Sequence, residues 1–234
     1  MADAPTRPAA WRREMGALLL QGRLIATGLW RRPPPPSGPR VALFVHGFLA
    51  AGPVFDPMRQ QVEALHRLPT LDFTYGPMAS FTRTAERLAA FVDAHVPPGV
   101  RLSLVGHSLG GLLARWYVQE MGGHARVDRL VTLATPHAGT ERVRMLPLPL
   151  ARGVQPGGSV VRRLEQRAHL LAPIAHTVVA AGNDRMVQPA ESATFVRPGK
   201  VVWLPDVGHN ELLYDPRTQR IVCEALGDRV GPPE

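Results

Sequence analysis

The chain has 234 residues, 45% of them hydrophobic and 20% charged, values that exclude a disordered polypeptide and suit one packed domain better than two. Its net charge of +8 invites a nucleic-acid reading, but residues 1–40 hold seven Arg against Asp3 and Glu14, so +5 sits at the front and +3 is spread over the remainder. Acids and bases are interspersed there, so no basic recognition face and no nucleic-acid partner are expected.

Cys223 is the single cysteine. That excludes an intrachain disulfide and a Cys-rich metal site, fits a reducing, cytoplasmic setting, and leaves Cys223 as a small apolar residue on a terminal helix. Near the front, residues 15–30 are the most apolar stretch, but Gln21 and Arg23 interrupt it; neither a membrane span nor a secretory signal peptide is expected. Trp11, Met15, Leu18, Gly22, Ile25 and Leu29 recur at three- and four-residue steps, which predicts an amphipathic helix. Arg12, Arg13, Arg23, Arg31 and Arg32 surround the stripe, so the helix either docks on its own domain or makes peripheral contact with an anionic lipid surface through residues 11–32. The proline run Pro33 to Pro36, followed by Pro39, is a stiff linker, separating a front segment, 1–39, from a domain over 40–234.

From residue 40 onward short β-branched runs alternate with helical periods, the pattern of parallel strands joined by crossover helices. Strands are predicted at 41–45, 71–73, 101–105, 129–133, 177–181 and 201–204. Phe81, Ala85, Leu88 and Val92 mark one helix that Pro97, Pro98 and Gly99 end, and further helices are predicted over 109–121 and 211–226. The segment 141–173 opens on broken Leu-Pro alternation and then shows a helical period through Val160, Val161, Leu164 and Leu171. It is either a partial cap or a connecting loop and helix.

Gly106-His107-Ser108-Leu109-Gly110-Gly111 lies between a predicted strand and a predicted helix, as a nucleophile elbow requires. A serine on that turn points its oxygen clear of the backbone, and the following helix offers free amide donors to developing negative charge. Serine needs a base, and nine histidines are available. His209, in Val207-Gly208-His209-Asn210, follows the last predicted strand; His66, His95, His124, His169 and His176 lie on predicted helices or their margins. Asp184, after the strand at 177–181 and a Gly-Asn turn pair, is placed to orient the imidazole, and Asp206 is its competitor. Val45-His46-Gly47-Phe48 closes the first strand, which assigns oxyanion donors to the amides of Phe48 and Leu109.

With these motifs in the order Ser, Asp, His, the chain resembles the α/β-hydrolase superfamily, and within it the bacterial triacylglycerol lipase and esterase group that includes the small lidless Bacillus lipases. The resemblance implies an α/β-hydrolase fold, a mostly parallel central sheet with helices on both faces, and a serine hydrolase acting on small-molecule or lipid carboxylic esters through an acyl-serine intermediate, with no cofactor and no metal. Thioesterase, acyltransferase or amidase chemistry would use the same triad, and a non-catalytic binding protein is the remote alternative. Thr135-Pro136-His137-Ala138-Gly139 is similar to the pocket-rim motif of related lipases. The expected pocket residues are therefore His46, Gly47, His107, Pro136 and His137. No motif bears on oligomeric state.

Overall fold

The structure is a computed structural model that describes residues 7–28, 38–145, 148–196 and 199–227. Six strands form one sheet: β1 (Arg40–Val45), β2 (Thr70–Phe73), β3 (Arg101–His107), β4 (Val127–Leu133), β5 (Ala175–Ala181) and β6 (Lys200–Leu204). Their order is β2-β1-β3-β4-β5-β6, and each neighbouring pair is parallel. All six predicted strands are present. Each runs one or two residues further than predicted, because ladder pairing continues past the apolar run into polar ends such as Arg40 and Lys200.

The sheet is covered on both faces, which is why its central strands read as unbroken apolar runs. Val41, Leu43 and Val45 pack into one core, while Ala42 and Phe44, on the alternate side, pack into the other. The first core is closed by α3 (Phe81–His95) and α4 (Leu109–Glu120). Phe81, Ala85, Leu88 and Val92 face it as their spacing predicts, and Ser80 caps α3 by accepting from the Arg83 amide. The second core is closed by α2 (Asp56–His66) and α6 (Pro216–Leu226). Cys223 is buried there, and burial pushes its thiol pKa up, so it is a neutral packing group.

Two helices differ from expectation. The helix expected over 211–226 is a turn, Glu211–Leu213, followed by α6, because Asp215 caps a new start by accepting from Arg217 N at 2.8 Å and Pro216 occupies a first-turn position where no N–H is needed. α2 was not expected; Met58 and Val62, four residues apart, are its buried face. Segment 141–173 holds several short turns and α5 (Ser159–Gln166), and Leu150, Val154, Val160, Leu164 and Leu171 join the first core. These five residues help cover the sheet beside α4.

The front helix, α1 (Arg7–Gly28), docks on the domain against the turns Gly52–Phe55 and Glu211–Leu213. Its docked face is a different one from the predicted stripe. Ala17 and Gln21 are buried and Ile25 reaches the second core, but Trp11 is 55% exposed, Leu18 42% and Leu19 73%. Glu14 and Gln21 turn the helix this way, since both bond to the loop that follows β6. Leu29, Arg31, Arg32 and the prolines of the linker before Gly38 lie outside the described residues.

Candidate active site

A parallel sheet delivers the carboxyl ends of all its strands to one edge, and each residue singled out for chemistry lies just past such an end. Val45 is in register with Gly106, so Gly47 and Phe48 after β1 arrive beside Ser108 after β3. A Cβ on Gly47 would lie only 3.0 Å from that of Ser108. Ala181 is in register with Leu204, and two bonds tie the loops beyond them: Gly182 N donates to Leu204 O at 2.8 Å and Asn183 N to Val207 O at 3.0 Å. That register brings Asp184 to His209.

Ser108 sits at φ 53 and ψ −123 as the N-cap of α4. A non-glycine residue held there costs on the order of 1–3 kcal/mol, and the surrounding packing must impose it. Two glycines make the packing close enough. A Cβ on Gly106 would be 2.5 Å from Gly111 Cα, and one on Gly110 would be 2.1 Å from Val45 O. Ser108 is half-buried, and its hydroxyl makes no hydrogen bond within the described residues. The amides of Phe48 and Leu109 likewise donate to no described residue. Leu49, beside Phe48, has φ 57, so the left-handed turn of this loop falls on a leucine.

Asp184 is buried and fully engaged. Its Oδ1 accepts from the amides of Met186 and Val187, each at 2.8 Å, and its Oδ2 accepts from His209 Nδ1 at 2.7 Å. Because Nδ1 carries the proton, Nε2 of His209 keeps its lone pair. Burial opposes the charged imidazole, but the Asp184 carboxylate, through charge and hydrogen bond, and Glu14 outweigh it and raise the His209 pKa above its ordinary value. Asp206, the competing acid, instead forms two 3.0 Å bonds with Arg217 at the surface, where they hold its pKa below the usual range.

His46 and His107, beside Ser108, are neutral supports. His107 Nε2 donates to the backbone carbonyl of His209 at 3.1 Å, with the two rings 4.7 Å apart, so the neighbour of Ser108 supports the loop of His209. Burial, helped by the charge of His209, drives the His107 pKa well down. His46 accepts from Tyr75 N at 3.1 Å through Nε2, donates to Gly47 O at 2.7 Å through Nδ1, and stacks on the Tyr75 ring at 4.1 Å; burial lowers its pKa to about 4. It props the loop from within. Tyr75, which also donates from its hydroxyl to His46 O at 2.6 Å, carried no chemical signal in the sequence.

Pro136 and His137 are buried. His137, expected at the pocket, has Nδ1 accepting from Arg115 at 3.0 Å and Nε2 donating to Thr132 Oγ1 at 3.1 Å, which ties its ring to α4 and β4. Among the described residues no group of three or more His, Cys, Asp and Glu is arranged to hold a metal ion.

Fold and sheet-edge site define an α/β hydrolase of the lipase and esterase kind. Residues 44–181, more than half of the chain, match the model of the palmitoyl protein thioesterase family, and the chain belongs to that family. The match includes Ser108 and stops short of Asp184 and His209. A GPI inositol-deacylase of Schizosaccharomyces pombe is 31% identical over 113 residues, which are 44% of this chain and 9% of that protein. Among solved structures, Aspergillus fumigatus lipase B superposes with a TM-score of 0.68 at 14% identity, over 80% of this chain and 52% of that one. The mature Bacillus licheniformis lipase BlEst2 gives 0.64 at 14% identity over 83% and 94%, and an esterase domain from Rhodothermus marinus gives 0.56 at 20% over 80% and 84%. The chain thus spans a small part of the deacylase and about half of the Aspergillus lipase.

Replacing Asp184 with Asn keeps the shape of the side chain but removes the charge that holds the tautomer. The His209 ring, followed by its NMR titration, is expected to titrate at lower pH, and turnover to fall by roughly two to four orders of magnitude. Unchanged titration and turnover would contradict the geometry described.

Proposed function

We propose that the protein hydrolyses carboxylic esters of acyl chains through an acyl-serine intermediate, with Ser108 as nucleophile, His209 as base and Asp184 as the residue that orients it. The observation that carries this reading is the 2.7 Å Asp184–His209 hydrogen bond beside a serine on a strained strand-to-helix turn. His209 accepts the Ser108 proton, returns it to the departing alcohol, then activates water for deacylation. The amides of Phe48 and Leu109, flanking Ser108 and unspent on described residues, meet the oxyanion. This chemistry calls on no metal or organic cofactor.

A thioester substrate is the second reading, and the family match favours it. The triad acts on both, because the acyl half and the tetrahedral intermediate are shared and only the leaving atom differs. A matched series of esters and thioesters of rising chain length separates them by kcat/KM. In either case Ser108→Ala is expected to leave the protein folded and cut hydrolysis by roughly three orders of magnitude or more; activity near wild type would refute the assignment. Since the base works in its neutral form and its pKa is raised, kcat/KM is expected to climb with pH through a limb above the ordinary histidine value.

Peripheral contact with an anionic lipid surface is supported by the outer face of α1, where Trp11, Leu18 and Leu19 are exposed and Arg12 and Arg23, also exposed, border them. No described helix is long and apolar enough to cross a membrane. Co-sedimentation with vesicles containing anionic lipid is expected to weaken when Trp11, Leu18 and Leu19 are changed to Ser and to weaken with salt. Equal sedimentation of both proteins at all salt concentrations would rule the contact out.

A further inference from the structure

The docked face of α1 carries polar groups beside Ala17 and Ile25, and those polar groups converge on one short loop. Glu14 accepts from Asn210 N through both oxygens at 3.0 Å, from Asn210 Nδ2 at 2.7 Å and from Glu211 N at 3.0 Å. Gln21, two turns further on, donates to Asn210 Oδ1 at 3.1 Å. Arg13 donates to Asp206 O at 2.7 Å and pairs with Glu211, whose other oxygen accepts from Gly208 N at 3.0 Å. These contacts bracket His209 on both sides. They also explain Gly208, because a Cβ there would lie 2.4 Å from Glu14 Oε2.

We propose that Glu14 is a positioning residue for His209: from a helix nearly two hundred residues earlier in the chain, its carboxylate clamps the backbone of the loop that carries the base. A carboxylate that accepts several N–H bonds at once fixes a loop far more tightly than apolar contact, since each bond is directional and charge-assisted. The loop's other supports act on His209 itself: His107 holds its carbonyl and Asp184 holds the ring. The groups facing His209 are therefore Asp184 after β5, His107 at the end of β3 and Glu14 on α1, with Arg13 drawn off by Glu211. Of the two carboxylates, Asp184 acts more strongly on the imidazole and Glu14 adds to it in the same direction.

This inference rests on the reading of His209 as the base, and the test separates the two. In the full-length chain, Glu14→Gln keeps an acceptor but removes the charge. The His209 ring, followed by NMR without any substrate, is expected to titrate at lower pH, and the ascending limb of kcat/KM to move the same way. Glu14→Ala removes the clamp, so kcat is expected to fall on the order of tenfold with KM unchanged. If Glu14→Ala fails to fold, the titration of Glu14→Gln decides. Folded Glu14 variants with wild-type titration and kcat would overturn the clamp. Hydrolysis surviving Ser108→Ala would instead overturn the functional reading while the titration shift continued to report the clamp.

Discussion

The 2.7 Å bond between Asp184 and His209 joins loops that leave adjacent strands of a parallel sheet, and it exists because register fixes where those loops begin. Ala181 beside Leu204 sets both chains to the same height, and the amides of Gly182 and Asn183 hold the loops together beyond the last ladder bond. A slip of one residue would turn the faces of β6 over and carry His209 away from Asp184. Much of the core therefore serves the site indirectly, by making that register the only one that buries both apolar faces.

The histidines near the sheet edge show how one residue type is divided into roles by environment. His46 and His107 are buried without a carboxylate partner, so they remain neutral and each donates one bond to a backbone carbonyl. His209 is as deeply buried but faces two carboxylates, which make its charged form accessible. A neutral ring is a fixed strut, whereas a ring that can take up a proton can exchange one with a hydroxyl. The family relationship and the fold are consistent with this division, and the chemistry is assigned from the site itself.

What the sequence revealed follows physical locality. The strands were legible because burial on both faces leaves a short apolar run, and the elbow was legible because Gly106 and Gly110 sit where backbones nearly touch. Asp184 and His209 could be placed after their strands by order alone. Neither the partner of His46 nor the orientation of α1 could be read in this way. Tyr75 looks like the end of an apolar run, and only the fold brings its amide and ring to His46. The apolar stripe of α1 suggested the docking face, but the hydrogen bonds that Glu14 accepts from a loop far along the chain set the actual rotation, leaving Trp11 and Leu19 outside. Nor could the bond between His137 and Arg115 be read, since it joins residues on different elements.

The central claim is that the oxygen of Ser108 is made nucleophilic by His209, and trapping that oxygen tests it directly. Treatment with a fluorophosphonate, followed by peptide mass spectrometry, is expected to place a single adduct on the peptide bearing Ser108 and to show its loss in His209→Ala. An adduct on another residue, or labelling of Ser108 that is indifferent to His209, would contradict the account.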